Sequence, residues 1–168
     1  KKFPDTELWL VGGRPTAEVY ALSSIDPRIT VTGPVDDLRP FLSRADVYVC
    51  GLQAGTGIKN RILEALAMAK PVVTTPVGAE GMGLEHGKHL IVARSPEEFA
   101  TAVVSLLQDA KLRFQVGSAG REAVQRRFSW IKASQKVMEL YKEAMKLVKL
   151  CKDKLEEAKR FIKTVEEQ

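Results

Sequence analysis

Apolar residues along this chain come in two kinds of run. At 7–11, 29–32, 46–50, 72–75 and 90–93 they are nearly consecutive and rich in Val, Ile and Leu, the pattern of strands buried on both faces of a parallel sheet. Between these runs the spacing lengthens to that of an amphipathic helix, at 17–24, 37–45, 58–69, 95–108 and 109–128. Gly12-Gly13, Gly33-Pro34 and Pro76-Val-Gly78 close the strands, and Ser95-Pro96-Glu97-Glu98 opens a helix with a capping serine, a first-turn proline and two acids. Asp36 or Asp37 can cap the second helix. Gly117 and Gly120 predict a break in the helix over 109–128. Strand and helix alternating in this way predict a doubly wound α/β fold, whose ligands bind past the carboxyl ends of the strands.

The tail follows another rule. From Ile131 to Gln168 there is no Pro or Gly, and Val137, Tyr141, Ala144, Val148, Cys151, Leu155, Ala158, Ile162 and Val165 are spaced alternately by four and three. That is a heptad seam. It predicts either one long helix with a coiled-coil or antiparallel partner, or two helices that fold back with the seam as ordinary core. The domains read as 1–130 and 131–168.

Composition changes this picture little. A chain of 168 residues supports one domain with a substantial core. The net charge of +5 comes from intermingled acids and bases, with no basic block to suggest a nucleic-acid or membrane partner. Cys50 and Cys151 form no CxxC pair or disulfide framework, which points to a reducing, cytoplasmic compartment. The opening Lys1-Lys2-Phe3-Pro4 reads as the end of something, not a natural start. His86 and His89 lie in a glycine-dense loop without other metal-ligand types nearby, and are expected to be solvated, not metal ligands.

Candidate chemistry gathers at 47–75, a strand, a glycine-rich turn, a helix and a strand. Gly55-Thr56-Gly57 stands where glycines let a ligand approach the backbone and where a helix N-terminus offers unpaired N–H groups to an anion. Glu64 is an acid on an otherwise apolar helix, sharing a face with Gly57 and Arg61, while Ile58, Ile62, Leu66 and Ala69 form the apolar stripe. No G-x-G-x-x-G follows the first strand, which argues against an ordinary dinucleotide-binding enzyme.

Taken in order, Phe3-Pro-Asp-Thr-Glu-Leu-Trp-Leu-Val-Gly12, Val31-Thr-Gly-Pro-Val-Asp-Asp37, Gly55 through Ala67, Lys70-Pro-Val-Val-Thr-Thr-Pro-Val-Gly78 and Arg127-Phe-Ser-Trp130 resemble the C-terminal half of a GT-B glycosyltransferase of family 4, the glycosyl transferases group 1 type. The resemblance implies a Rossmann-like three-layer parallel sheet that binds a UDP- or GDP-linked sugar as substrate, with no resident cofactor or metal. It implies a retaining enzyme that moves the sugar to a glycan or lipid, at the inner face of the membrane. On this resemblance Glu64 receives the ribose hydroxyls, Gly55, Thr56 and Gly57 meet the diphosphate and sugar, Pro34 and Val35 line the base, and Gly12 and Gly13 face the phosphates. Arg14 would add charge there or stand solvated.

The chain departs from the family in three ways. Thr56 stands where the family has the first glutamate of its Glu-x7-Glu motif, an acid that a Gly-rich subtype of the family also lacks. The family's first strand and helix, with the Arg and Lys that neutralise the diphosphate, and its N-terminal acceptor domain would precede Phe3. Without that central strand the sheet is expected to show a gap or an altered pairing. The heptad tail is an addition, and makes a self-associating assembly module the rival function.

Overall fold

The structure, a computed structural model, describes residues 3–166; for Lys132, Phe161 and 164–166 it describes the backbone without the side chains. The expected helical positions 167–168, the side chain of Val165 and the opening Lys1-Lys2 lie outside the described residues. The chain divides into two compact units, 1–123 and 124–168.

The first unit alternates strand and helix throughout: β1 (Leu8–Val11), α1 (Ala17–Ile25), β2 (Ile29–Gly33), α2 (Arg39–Arg44), β3 (Tyr48–Cys50), α3 (Asn60–Ala67), β4 (Val72–Thr74), α4 (Pro76–Ala79), β5 (Ile91–Val92), α5 (Pro96–Gln108) and then α6 (Ala110–Arg127). All strand pairs are parallel, but they make two sheets, β1–β2 and β3–β4–β5. Among the described residues β1 and β3 therefore each keep an edge on which no strand is paired.

Core formation is concentrated on β4. Val72, Val73 and Thr74 are fully buried, whereas β1 keeps Leu8 exposed. Val73, Ala93 and Leu106 anchor a cluster to which Val49 of β3 and Phe99, Ala102 and Val103 of α5 add their apolar faces. On the other side α3 buries Ile62, Ala65 and Leu66. The β1–β2 sheet is held differently. Trp9 meets Phe41 of α2 edge-on at 5.6 Å between ring centroids, and the Arg44 guanidinium lies 4.7 Å over the same indole.

The Ser95 cap is present, its side chain accepting from Glu98 N at 3.2 Å. The expected cap of α2 by Asp36 or Asp37 is not found: Leu38 stands at the N-cap without a side-chain bond, and Asp37, one residue earlier, receives the amide of Arg39 at 2.9 Å. Other expectations need correction. α3 begins at Asn60, not after Gly57, so Ile58 is exposed outside the helix and does not join its apolar stripe. α4 is a short turn that the Pro76-Val-Gly78 stop did not announce; Thr75 caps it. α6 is unbroken. Its glycines are points of close approach: a Cβ on Gly117 would stand 2.2 Å from Ala69 O, and one on Gly120 2.6 Å from His89 O.

In the second unit α7 (Trp130–Glu166) is one continuous helix of 37 residues, roughly 55 Å at 1.5 Å per residue. The expected alternative of two helices is not found. Val137, Tyr141, Val148, Leu155 and Ile162 are all exposed, so the seam is not ordinary core. Lys154 pairs with Glu157 at 2.7 Å and Lys159 with Glu156 at 2.8 Å along the helix.

Candidate functional site

The expected site residues all follow carboxyl ends of strands or lie on the helix beyond. Gly12 and Gly13 come directly after β1, and Pro34 and Val35 directly after β2. Because β1 and β2 are parallel, these two turns share one edge. A Cβ on Gly13 would meet Pro34 Cγ at 3.9 Å, so the turns are neighbours. Gly12 has φ 153° and faces open space, and Arg14 holds the left-handed region at φ 58°, rare for a side chain of its size.

The second group lies after β3. Gly55 (φ 145°) and Gly57 (φ 74°) bracket Thr56, all three are exposed, and a Cβ on Gly57 would meet nothing. Positive φ at both glycines turns the chain at a place any larger residue would strain. The Lys59 ammonium donates to the carbonyls of Gly57 and of Gly55, the latter at 3.4 Å. This puts a cation against the turn, at the residue that caps α3. Two threonines hold the root of the loop: Thr74 Oγ1 donates to Cys50 O at 3.0 Å and Thr75 Oγ1 to Leu52 O. Thr75 Oγ1 also accepts from Gly78 N at 3.1 Å.

Glu64 lies on the exposed face of α3, opposite Ile62, Ala65 and Leu66. Its carboxylate receives Arg61 Nη1 at 2.8 Å, an ion pair open to solvent on both sides. Burial pushes the Tyr48 hydroxyl up to about 12; the Cys50 thiol and Glu64 add to the shift and Arg61 opposes it. Tyr48 is thus a neutral phenol in the field of the Arg61–Glu64 pair at any physiological pH. The structure brings the expected residues together as two groups, Gly12-Gly13 with Pro34-Val35, and Gly55-Thr56-Gly57 with Lys59 ahead of Glu64. Sequence reasoning missed Lys59 and Tyr48. A lysine two residues after the second glycine, where the helix starts, was the available signal for the first.

Of the two histidines, His89 needs correction. His89 is buried, not solvated, and its Nδ1 accepts from Glu85 N at 3.0 Å. His86 is exposed, yet its Nδ1 accepts from Val92 N at 2.9 Å. Each ring spends Nδ1 on a backbone amide and helps fold the 80–92 loop around β5. Among the described residues no group of three His, Cys, Asp or Glu stands ready to hold a metal ion, and no helix is long and apolar enough to cross a membrane. Cys50 and Cys151 are free thiols.

Chemically, the carboxyl edge offers open backbone at Gly12 and Gly57, an ammonium against the second turn, and a carboxylate able to accept two hydroxyls. That set suits a ligand with an anionic centre and a vicinal diol.

The profile of glycosyl transferases group 1 matches residues 1–109, and that of the exonuclease VII small subunit matches 135–164 on α7. The lipopolysaccharide core biosynthesis glycosyltransferase LpsE of Rhizobium meliloti is 29% identical over 76% of this chain and 39% of its own length. A phosphatidyl-myo-inositol mannosyltransferase of Mycobacterium leprae is 31% identical over 83% of this chain and 38% of its own. The chain thus spans less than half of each relative. Among solved structures, Anabaena HepE in complex with UDP superposes with a TM-score of 0.73 at 20% identity, over 83% of this chain and 42% of that one. A sucrose-phosphate synthase of Thermosynechococcus elongatus does so with a TM-score of 0.69 at 24% identity, over 86% and 40%. At these identities the structural likeness shows the fold, half of a GT-B architecture.

Proposed function

Because the chain belongs to the glycosyl transferases group 1 family, we propose that it is the donor-binding half of a retaining GT-B glycosyltransferase of family 4, acting on a UDP- or GDP-linked sugar. The observation that carries this reading is the Gly55-Thr56-Gly57 turn at the carboxyl end of β3, with open backbone, Lys59 against its carbonyls and Glu64 on the exposed face of the next helix. In it Glu64 accepts the ribose hydroxyls, giving up its surface pairing to Arg61. Gly12, Gly13, Gly55, Thr56 and Gly57 approach the diphosphate and sugar, and Pro34 and Val35 border the base. Thr56 donates a hydroxyl where the family has a carboxylate. N–H groups fixed before the reaction stabilise the charge that grows on the departing diphosphate. Lys59, released from the turn carbonyls, adds a positive charge at the same place.

In the intact enzyme an N-terminal domain supplies the acceptor, a glycan or lipid, at the inner face of the membrane. The break between the β1–β2 and β3–β4–β5 sheets supports a preceding strand and helix that join them and bring the diphosphate's Arg and Lys. Without these parts the chain binds donor weakly and transfers no sugar. The exposed seam of α7 supports self-association as a second property.

Calorimetry with UDP-, GDP- and ADP-sugars tests the donor site. One nucleotide class is expected to bind weakly, and Glu64→Ala to weaken it about 10- to 100-fold, the loss of hydrogen bonds to a charged group. Flat titrations with every class would overturn donor binding by this chain. Turnover of any sugar nucleotide onto an acceptor by the chain alone would overturn its inactivity.

A further inference from the structure

We infer that α7 pairs with α7 of a second copy as an antiparallel two-helix coiled coil centred between Val148 and Cys151. This deepens the self-association proposed above and is independent of the donor site. The seam is presented on a single helix and exposed along its length, Val137, Tyr141, Val148, Leu155 and Ile162 each being about half exposed or more. Tyr141, Val148, Leu155 and Ile162 occupy the a positions of the heptad, and Val137, Ala144, Cys151 and Ala158 the d positions.

Size selects the orientation. In an antiparallel pair about that centre, each layer joins an a residue of one helix to a d residue of the other. Tyr141 then lies opposite Ala158 of the second copy, Leu155 opposite Ala144, and Val148 opposite Cys151. The outermost layer sets Ile162 opposite Val137, large meets small in two of the other three, and no layer stacks two small residues. A parallel pair would instead stack Tyr141 on Tyr141 and Ala144 on Ala144, alternating overfull and underfilled layers.

Charge selects the same orientation. The flanking e and g positions are apolar in the first half of the seam, with Met138, Met145, Leu140 and Leu147, and mostly basic in the second, with Lys152, Lys154 and Lys159 and then Phe161. No acid stands at e or g between 138 and 159. A parallel pair would set Lys154 beside Lys159 of the second copy, twice by symmetry. The antiparallel pair lays the basic half of each helix along the apolar half of the other, so that Lys152 lies over Met145 and Lys154 over Leu147. There the lysine stems cover apolar surface and the ammonium groups stay in water. Lys154 and Lys159 already have Glu157 and Glu156 on their own helix, so the pairing needs no acid from its partner.

The test is made on the full chain, with light scattering and disulfide trapping. The chain is expected to elute at twice its mass, and Leu155→Asp to return it to one. Two single-cysteine proteins follow, Ala144→Cys and Leu155→Cys, each with Cys50→Ser and Cys151→Ala. Under oxidation a covalent dimer is expected in their mixture and in neither alone, with a heterodimer mass. The natural Cys151 is expected not to bridge to itself, because the antiparallel offset of three residues adds about 4.5 Å along the axis. A stable dimer in which each cysteine protein bridges to itself would overturn the orientation and leave self-association standing. A monomer at every concentration would overturn both, and neither result would touch the calorimetry of the donor site.

Discussion

Leu66 and Leu155 carry the same side chain into opposite circumstances. Leu66 sits on an eight-residue helix and is fully buried; Leu155 sits on a helix of 37 residues and is 61% exposed. In the α/β body, short elements become stable because each is covered: α3 would not persist as an isolated peptide, and its buried face is what holds it. In α7 the helix is long enough, and sufficiently rich in Lys–Glu pairs, to persist along its own axis. The body therefore spends its apolar residues on its own folding, whereas the tail leaves them available to another surface. Apolar periodicity alone does not distinguish the two uses.

Removing each leucine in turn is the sharpest way to break this comparison. Leu66→Ala is expected to destabilise the body by about 2–5 kcal/mol through lost burial and a residual cavity. Leu155→Ala should leave the unfolding of the body within about 0.5 kcal/mol of the parent, while weakening self-association. Guanidinium unfolding followed by Trp9 fluorescence in a Trp130→Phe background reads the first quantity, and light scattering the second. Equal shifts in the unfolding midpoint would mean that the two regions do not differ as described.

Gly117→Ala sharpens the description of the body from the other direction. Adding a single methyl group forces α6 away from Ala69 O, and overpacking of this kind costs about 1–3 kcal/mol even though alanine is the better helix former. A stabilised Gly117→Ala protein in the same titration would mean that the glycine is tolerated, not required.

The smallest effect belongs to the exposed rim of the β1–β2 sheet. Arg28 holds the Asp26 carboxylate at about 2, below its ordinary 3.8, chiefly through its side-chain hydrogen bonds. A carboxylate whose folded pKa is depressed stabilises the fold above its ordinary value and loses that contribution as pH falls through the lower one. Asp26→Asn should therefore lower the melting temperature slightly at neutral pH, with the difference closing as pH drops from 3.8 towards 2. A difference that persists below pH 2 would assign the effect to something other than this ion pair.

The alternation of strands and helices, the Ser95 cap and the glycine turn before α3 were legible because their signals are local. Gly117 and Gly120 were misread because a glycine inside a helix looks the same whether it breaks the helix or admits a neighbouring backbone. His89 was misread because its burial depends on how the 80–92 loop closes over β5, which no nearby residue announces. The break between the sheets followed from the family's strand order and not from any feature of β1 or β3. Of the site, the glycines and Glu64 could be read directly, but their division into two groups could not, since Gly13 and Pro34 become neighbours only through the pairing of β1 with β2.

The threonines at the end of β4 have a further consequence for motion. They tie Cys50 and Leu52, so the loop after β3 is held to the sheet at its root, while at its glycine turn it is held by the Lys59 side chain. A Cβ on Gly78 would fall 2.0 Å from Thr74 Oγ1 and push that hydroxyl off Cys50 O. Hydrogen exchange along 50–59 should accordingly rise from root to tip, a hinge with one immobile leaf. Changes at Gly78 or Thr75 would loosen that leaf and spread the tip over many positions, so that the proposed donor binding would weaken through entropy before any proposed contact was lost.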